Sequence, residues 1–122
     1  MLAKQAHHGI VDYTLRTGPS FLSKARVSGA PSYLDGLTIC INRADHGKIH
    51  QKFEKMIKLK IDANNTVSFG DVMEAAFKSL DEEARSVSKI CKTLFKAALK
   101  VQYSGIHPTG GTGFLTMHTI RA

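Results

Sequence analysis

The stretch from Ile39 to Phe53 constrains this chain more than any other. A brief apolar run, Leu37 to Ile41, reads as a strand behind an Asp35-Gly36 turn and leads straight into a helical pattern from about Arg43 to Lys60. Asn42 is a favourable N-cap, and Asp45 stands at N3, close to a capping box with Asp in place of Glu or Gln. Ile49, Phe53, Met56 and Ile57 recur at helical spacing as one apolar stripe, and Lys48, Lys52, Lys55 and Lys58 fall on the far side. His46 and His50 sit at the edge of the stripe. Side chains four apart lie one above the other on a helix, so these two imidazoles can share one metal ion within the first two turns.

The chain has six histidines: His7, His8, His46, His50, His107 and His118. His7, His46 and His50 together offer three nitrogen ligands and leave positions open for water and substrate, the mark of a catalytic rather than a structural metal site. If His7 and His8 lie on a strand they point to opposite sides. One is then free to bind metal while the other takes a proton, a task suited to an imidazole of ordinary pKa about 6.5. The same dipeptide is also compatible with an exposed pair of no function.

Elsewhere the pattern is plainer. Residues 1–12 suit a short strand or a helix end. Tyr13 to Gly36 is rich in turn chemistry, with Gly18-Pro19-Ser20, Ser28-Gly29-Ala30-Pro31-Ser32 and Asp35-Gly36. Arg16, Lys24 and Arg26 punctuate it and Arg43 lies just beyond. Ala63 to Thr66 is a turn. Ser68 and Asp71 cap a helix carrying Phe69, Val72, Met73, Ala76, Phe77 and Leu80. A third helix is expected from about Glu82 to Gln102, with Val87, Ile90, Cys91, Leu94, Ala98 and Val101 inward and Lys89, Lys92, Lys96 and Lys100 outward. Tyr103 to Gly113 reads as a loop; its Gly110-Gly111-Thr112-Gly113 lacks the Gly-Lys-Ser/Thr and following helix of a phosphate cradle. Phe114 to Ile120 is expected to form a terminal strand.

A chain of 122 residues with 43% apolar content fits one domain, able to bury roughly two-thirds of its unfolded surface. No apolar run approaches the ~18 residues of a membrane span, and the N-terminus lacks the apolar core of a signal peptide. A net charge of +7 and a pI of about 9.6 favour a polyanionic partner, nucleic acid first and an anionic membrane second. Cys40 and Cys91 belong to no Cys-x-x-Cys pair; two buried, reduced thiols are expected, as in a reducing cytosol.

The residues Gln5-Ala6-His7-His8-Gly9-Ile10, followed by Ala44-Asp45-His46 and by His50 four positions on, resemble the His-Asn-His (HNH/endonuclease VII) superfamily of nucleases, whose core is a ββα-metal, or His-Me finger, motif. Within it the chain is most similar to the AHH-type toxin domains at the C-termini of bacterial polymorphic toxins, Rhs-type effectors included. The resemblance covers about residues 5–57 and implies an α+β fold: a ββα-metal core at about 5–60, packed against a helical region at about 66–104, with a C-terminal loop and strand over 105–122. It implies that His7, His46 and His50 bind one divalent ion (Mg, Mn, Zn or Ni) and that His8 activates water. Arg43 becomes a candidate for gripping the scissile phosphate, and Arg16, Arg26, Lys48 and Lys52 for binding nucleic acid. The family's orienting asparagine has no evident equivalent: Asp35-Gly36 occupies that region, and Asn42 reads as a helix cap.

The implied function is a metal-dependent endonuclease, DNA before RNA. It would be delivered from a secreted parent toxin into the cytoplasm of a target cell and held in check by an acidic immunity protein, with no membrane as partner. A basic nucleic-acid-binding module without catalysis, or a metal-independent RNase toxin using His8, are the alternatives.

Overall fold

The computed structural model describes residues 4–15, 26–61 and 67–106. The expected turn at Ala63 to Thr66, the Gly110–Gly113 loop, the strand at Phe114 to Ile120, and Arg16, Lys24, His107 and His118 lie outside them. The architecture is α+β: strand β1 (Lys4–His8), a short 3-10 helix (Asp12–Leu15), strand β2 (Thr38–Asn42), and helices α1 (Arg43–Lys58), α2 (Phe69–Glu83) and α3 (Lys89–Gln102).

β1 and β2 form an antiparallel pair in which Gln5 opposes Ile41 and His7 opposes Ile39. Alternation along each strand puts Gln5, His7, Ile39 and Ile41 on one face and Lys4, Ala6, His8, Thr38, Cys40 and Asn42 on the other. The first face packs inward, where His7 and Ile41 are buried. The second is open, and Cys40, paired with Ala6, is exposed. The expectation of a buried Cys40 is therefore wrong: between two inward isoleucines, period-two geometry turns the thiol to solvent.

β2 passes without a loop into α1, where the Asn42 side chain accepts from the Asp45 amide at 2.8 Å. Ile49, Phe53 and Ile57 form the buried stripe foreseen for this helix. Asp45 departs from the capping-box role: its carboxylate accepts from the Ser86 amide at 2.9 Å and from the Ser86 hydroxyl, tying the start of α1 to the turn before α3.

α1 lies along α2, and the main core gathers Ile10, Leu15, Phe53, Ile57, Phe69, Val72, Leu99 and Tyr103. A smaller apolar cluster of Ile41, Ile49, Leu80 and Ala84 joins β2 and α1 to the end of α2. The third helix differs from expectation in two ways. α2 runs on to Glu83, and α3 begins at Lys89 behind a new N-cap, Ser88, whose hydroxyl accepts from the Cys91 amide at 3.2 Å. Of the expected stripe, Val87 packs against the smaller cluster just ahead of α3, but the part within the helix faces solvent: Ile90 is 74%, Leu94 66% and Val101 76% exposed, and Cys91 is exposed with them. Phe95, Leu99 and Tyr103 face inward instead.

Helix α3 carries apolar residues on two sides, and tertiary packing chooses between them. Gly9 shows how: a Cβ there would lie 2.4 Å from Leu99 Cδ1 and 2.9 Å from Phe95 Cε2, so the missing side chain lets the chain after β1 rest closely on that side of α3, and any larger residue would have to displace those two side chains. Gln102, at the end of α3, grips the chain ahead of β2. It accepts from the Leu37 amide at 3.0 Å and donates to the Asp35 carbonyl at 2.6 Å.

Candidate metal centre

Strand β1 and helix α1 bring His7, His46 and His50 together. Each can offer a ring nitrogen, and these atoms all lie within 4.8 Å of one another. The His7 ring stands edge-on to both helix histidines, with centroids 5.1 Å from His46 and 5.5 Å from His50. The i, i+4 spacing sets the helix pair with centroids 4.7 Å apart and their Nε2 atoms 3.0 Å apart. The inward face of β1 delivers His7 from the other side.

The electrostatics favour neutral rings. Burial, reinforced by the neighbouring His50, His46 and His8, pushes the His7 pKa from 6.5 down to about 3. His50 is lowered by burial and by His46, and His46 by burial. At neutral pH all three therefore hold lone pairs rather than positive charge.

These residues fit a metal ion. His7 is 3% exposed, and its Nδ1 is buried with no hydrogen-bond partner among the described residues. A stranded polar nitrogen of this kind costs about 1–3 kcal/mol, and a cation beside the ring would satisfy it. An ion with nitrogen bonds of about 2.0–2.1 Å needs its ligand atoms roughly 3–4 Å apart. The helix pair is already at the near end of that range, and His7 has only a small distance to close.

His8 lies on the opposite strand face. Its Nε2 is 3.0 Å from the Tyr33 carbonyl oxygen, and its ring packs on that of Tyr33 with centroids 4.8 Å apart. With Nε2 donating to that oxygen, Nδ1 is left as the basic nitrogen. Gly36 makes room for the ring, since a Cβ there would sit 3.1 Å from His8 Cδ2 and 3.4 Å from Tyr103 Oη. Sequence reasoning left the partner of His8 unassigned. A backbone carbonyl has no residue signature, so nothing in the sequence marks Tyr33 for the role.

The cationic candidates divide. Arg43 is exposed at the first position of α1 and, by helical spacing, on the side that carries His46 and His50. Arg26 is engaged within the fold: it donates at 2.8 Å both to Asp12 and to the Pro31 carbonyl. Lys48 and Lys52 line an open groove of about 380 Å³ with Gln51, Lys55 and Glu83, and Lys52 pairs with Glu82 at 3.2 Å. That groove is on the side of α1 away from the histidines, so the structure does not bring these lysines to the metal centre. Arg16 lies outside the described residues.

Comparison with protein-family models, curated proteins and solved structures finds no match for this chain. The geometry by itself defines a three-histidine centre able to hold a metal ion.

Proposed function

We propose that this domain is a metal-dependent endonuclease with a ββα-metal site, the toxic portion of a secreted bacterial effector that acts in the cytoplasm of a target cell. The observation that carries this reading is the convergence of His7, His46 and His50 from a strand and the following helix, with His8 next in the chain and held by a backbone carbonyl. Among the described residues the three nitrogens come with no carboxylate, a donor set that suits zinc or nickel better than magnesium or manganese.

In the mechanism this reading entails, Nδ1 of His8 takes a proton from a water molecule whose oxygen attacks phosphorus. The bond from phosphorus to the 3′ oxygen breaks, and that oxygen leaves as a hydroxyl after gaining a proton from solvent. One product carries a 5′-phosphate. A divalent ion held by His7, His46 and His50 would supply Lewis-acid stabilisation of the charge that builds on the phosphate and the leaving oxygen. This reading assigns to Arg43, on the same side of α1, the holding of a non-bridging oxygen.

The +7 charge supports a nucleic acid as substrate and an acidic immunity protein as cognate inhibitor, and the resemblance to the His-Asn-His nucleases puts DNA before RNA. None of the described helices is long and apolar enough to cross a membrane. The test is nicking of supercoiled plasmid by zinc- or nickel-loaded protein, before and after EDTA. Cleavage that is lost with chelation and restored by the ion supports the reading. No cleavage by fully loaded protein points to a binding module, and cleavage of RNA that survives EDTA points to a metal-independent RNase.

A further inference from the structure

His46 is the only one of the three clustered histidines with a side-chain partner outside the cluster among the hydrogen bonds the structure shows. Its Nδ1 lies 2.7 Å from Oε1 of Gln5. Gln5 is on β1, two residues before His7 and on the same strand face. The strand register sets it opposite Ile41, one residue before the cap of α1. Its carboxamide therefore meets the first turn of the helix. The other ring nitrogen, Nε2, is directed at His50 Nε2 at 3.0 Å, so both edges of the imidazole are committed.

From this arrangement we infer that Gln5 is a positioning residue of the metal centre, fixing His46 as the Nδ1–H tautomer so that the bare Nε2 is its ligand atom. The inference rests on the metal-centre reading. An imidazole that gives its one proton to an acceptor cannot also carry one on the nitrogen that faces the ion, and its ring plane is locked by the same bond. The acceptor here is neutral. A carboxylate in its place would make the ring more basic and take away part of the ion's charge, whereas a carboxamide orients the ring and leaves that charge nearly whole. The placement also makes β1 serve the centre twice, once through His7 as a ligand and once through Gln5 behind another.

The test uses zinc titration against a competing chelator, together with the ring nitrogen chemical shifts of the metal-free protein, for wild type, Gln5→Leu, Gln5→Glu and His46→Ala. Gln5 is exposed, so its replacement leaves the core untouched. Wild type is expected to show His46 as a single Nδ1–H tautomer. Gln5→Leu should release a tautomer mixture and weaken zinc binding by about 10–100-fold. Gln5→Glu should keep the single tautomer and bind zinc at least as tightly as wild type.

The inference is overturned if Gln5→Leu keeps both the tautomer and the wild-type affinity, or if Gln5→Glu loses as much affinity as Gln5→Leu. Should Gln5→Leu not fold, the Gln5→Glu result decides alone. Wild-type zinc affinity in His46→Ala is a separate outcome, which overturns the metal centre itself.

Discussion

His46 and His50 meet nitrogen to nitrogen, Nε2 to Nε2 at 3.0 Å, across one turn of α1. Two bare lone pairs cannot stay at that distance unless a proton or a cation lies between them. With the His7 ring edge-on to both, the three rings are arranged for a shared ion. Replacing His46 or His50 by Ala is expected to abolish tight binding of zinc or nickel in calorimetric titration while far-UV circular dichroism stays that of a folded domain. Retention of wild-type affinity in either variant would place the site elsewhere.

His8 and the three clustered histidines should separate cleanly. His8→Ala removes the proton acceptor and none of the proposed ligands, so metal should bind as in wild type while plasmid nicking falls by about 10²–10⁴-fold. His7→Ala should lose the metal as well as the activity. The reverse pattern would exchange the two roles on β1, and normal nicking by both variants would leave the pair without a part in catalysis.

The buried His7 gives the metal-free protein a defined response to acid. Its folded pKa of about 3 lies below its ordinary 6.5. Between those values the unfolded chain takes up a proton that the folded state refuses. This contribution is intact above pH 6.5 and is lost progressively as pH falls toward 3. His46 and His50 are shifted the same way and add to the slope. Urea midpoints of metal-free protein should fall from pH 7.5 to pH 4.5, and less steeply in His7→Leu. Equal slopes in the two proteins would contradict the assignment.

Asp45 offers a test of the fold that is independent of the metal. Its carboxylate takes two hydrogen bonds from Ser86, the hydroxyl bond being the stronger influence that holds its pKa below the ordinary carboxylate value. Hydrogen bonds to charged groups contribute about 1.5–3 kcal/mol, and a loss of that size is expected for Asp45→Ala in chemical denaturation. Ser86→Ala should lose less, since the amide bond remains. An unchanged midpoint in Asp45→Ala would show that the tie between α1 and the turn before α3 is not formed.

The orientation of α3 makes opposite predictions for two leucines five residues apart. Leu99 is 1% exposed and Leu94 is 66% exposed. Leu99→Ala should cost about 2–5 kcal/mol through lost burial and the cavity left behind. Leu94→Ala should stay within about 0.5 kcal/mol of wild type. Comparable losses at both positions would mean that the Leu94 side of the helix is covered in solution.

Local chemistry was legible in the sequence wherever neighbouring residues determine it. The Asn42 and Ser68 caps, the strand running into α1 and the Ile49–Phe53–Ile57 stripe are set by side chains a few positions apart. The same is true of the adjacency of His46 and His50, which follows from the helical repeat alone. That His7 joins them was an expectation from spacing and resemblance, and the strand register of β1 on β2 now brings it within reach.

What the tertiary structure decided are choices between faces and between distant partners. Two apolar sets share α3, and its packing on the main core, the chain after β1 included, makes Leu99 inward and Ile90 outward. Cys40 is turned out by strand alternation against a partner that no local pattern identifies. Tyr33 holds His8 through a backbone oxygen, Gln5 meets His46 from 41 positions away, and Ser86 takes Asp45 from its cap across the same separation. Periodicity reports the conformation of a segment, because that depends on residues within a turn or two. It is silent on which segment comes to lie against it, because that depends on the packing of the whole chain.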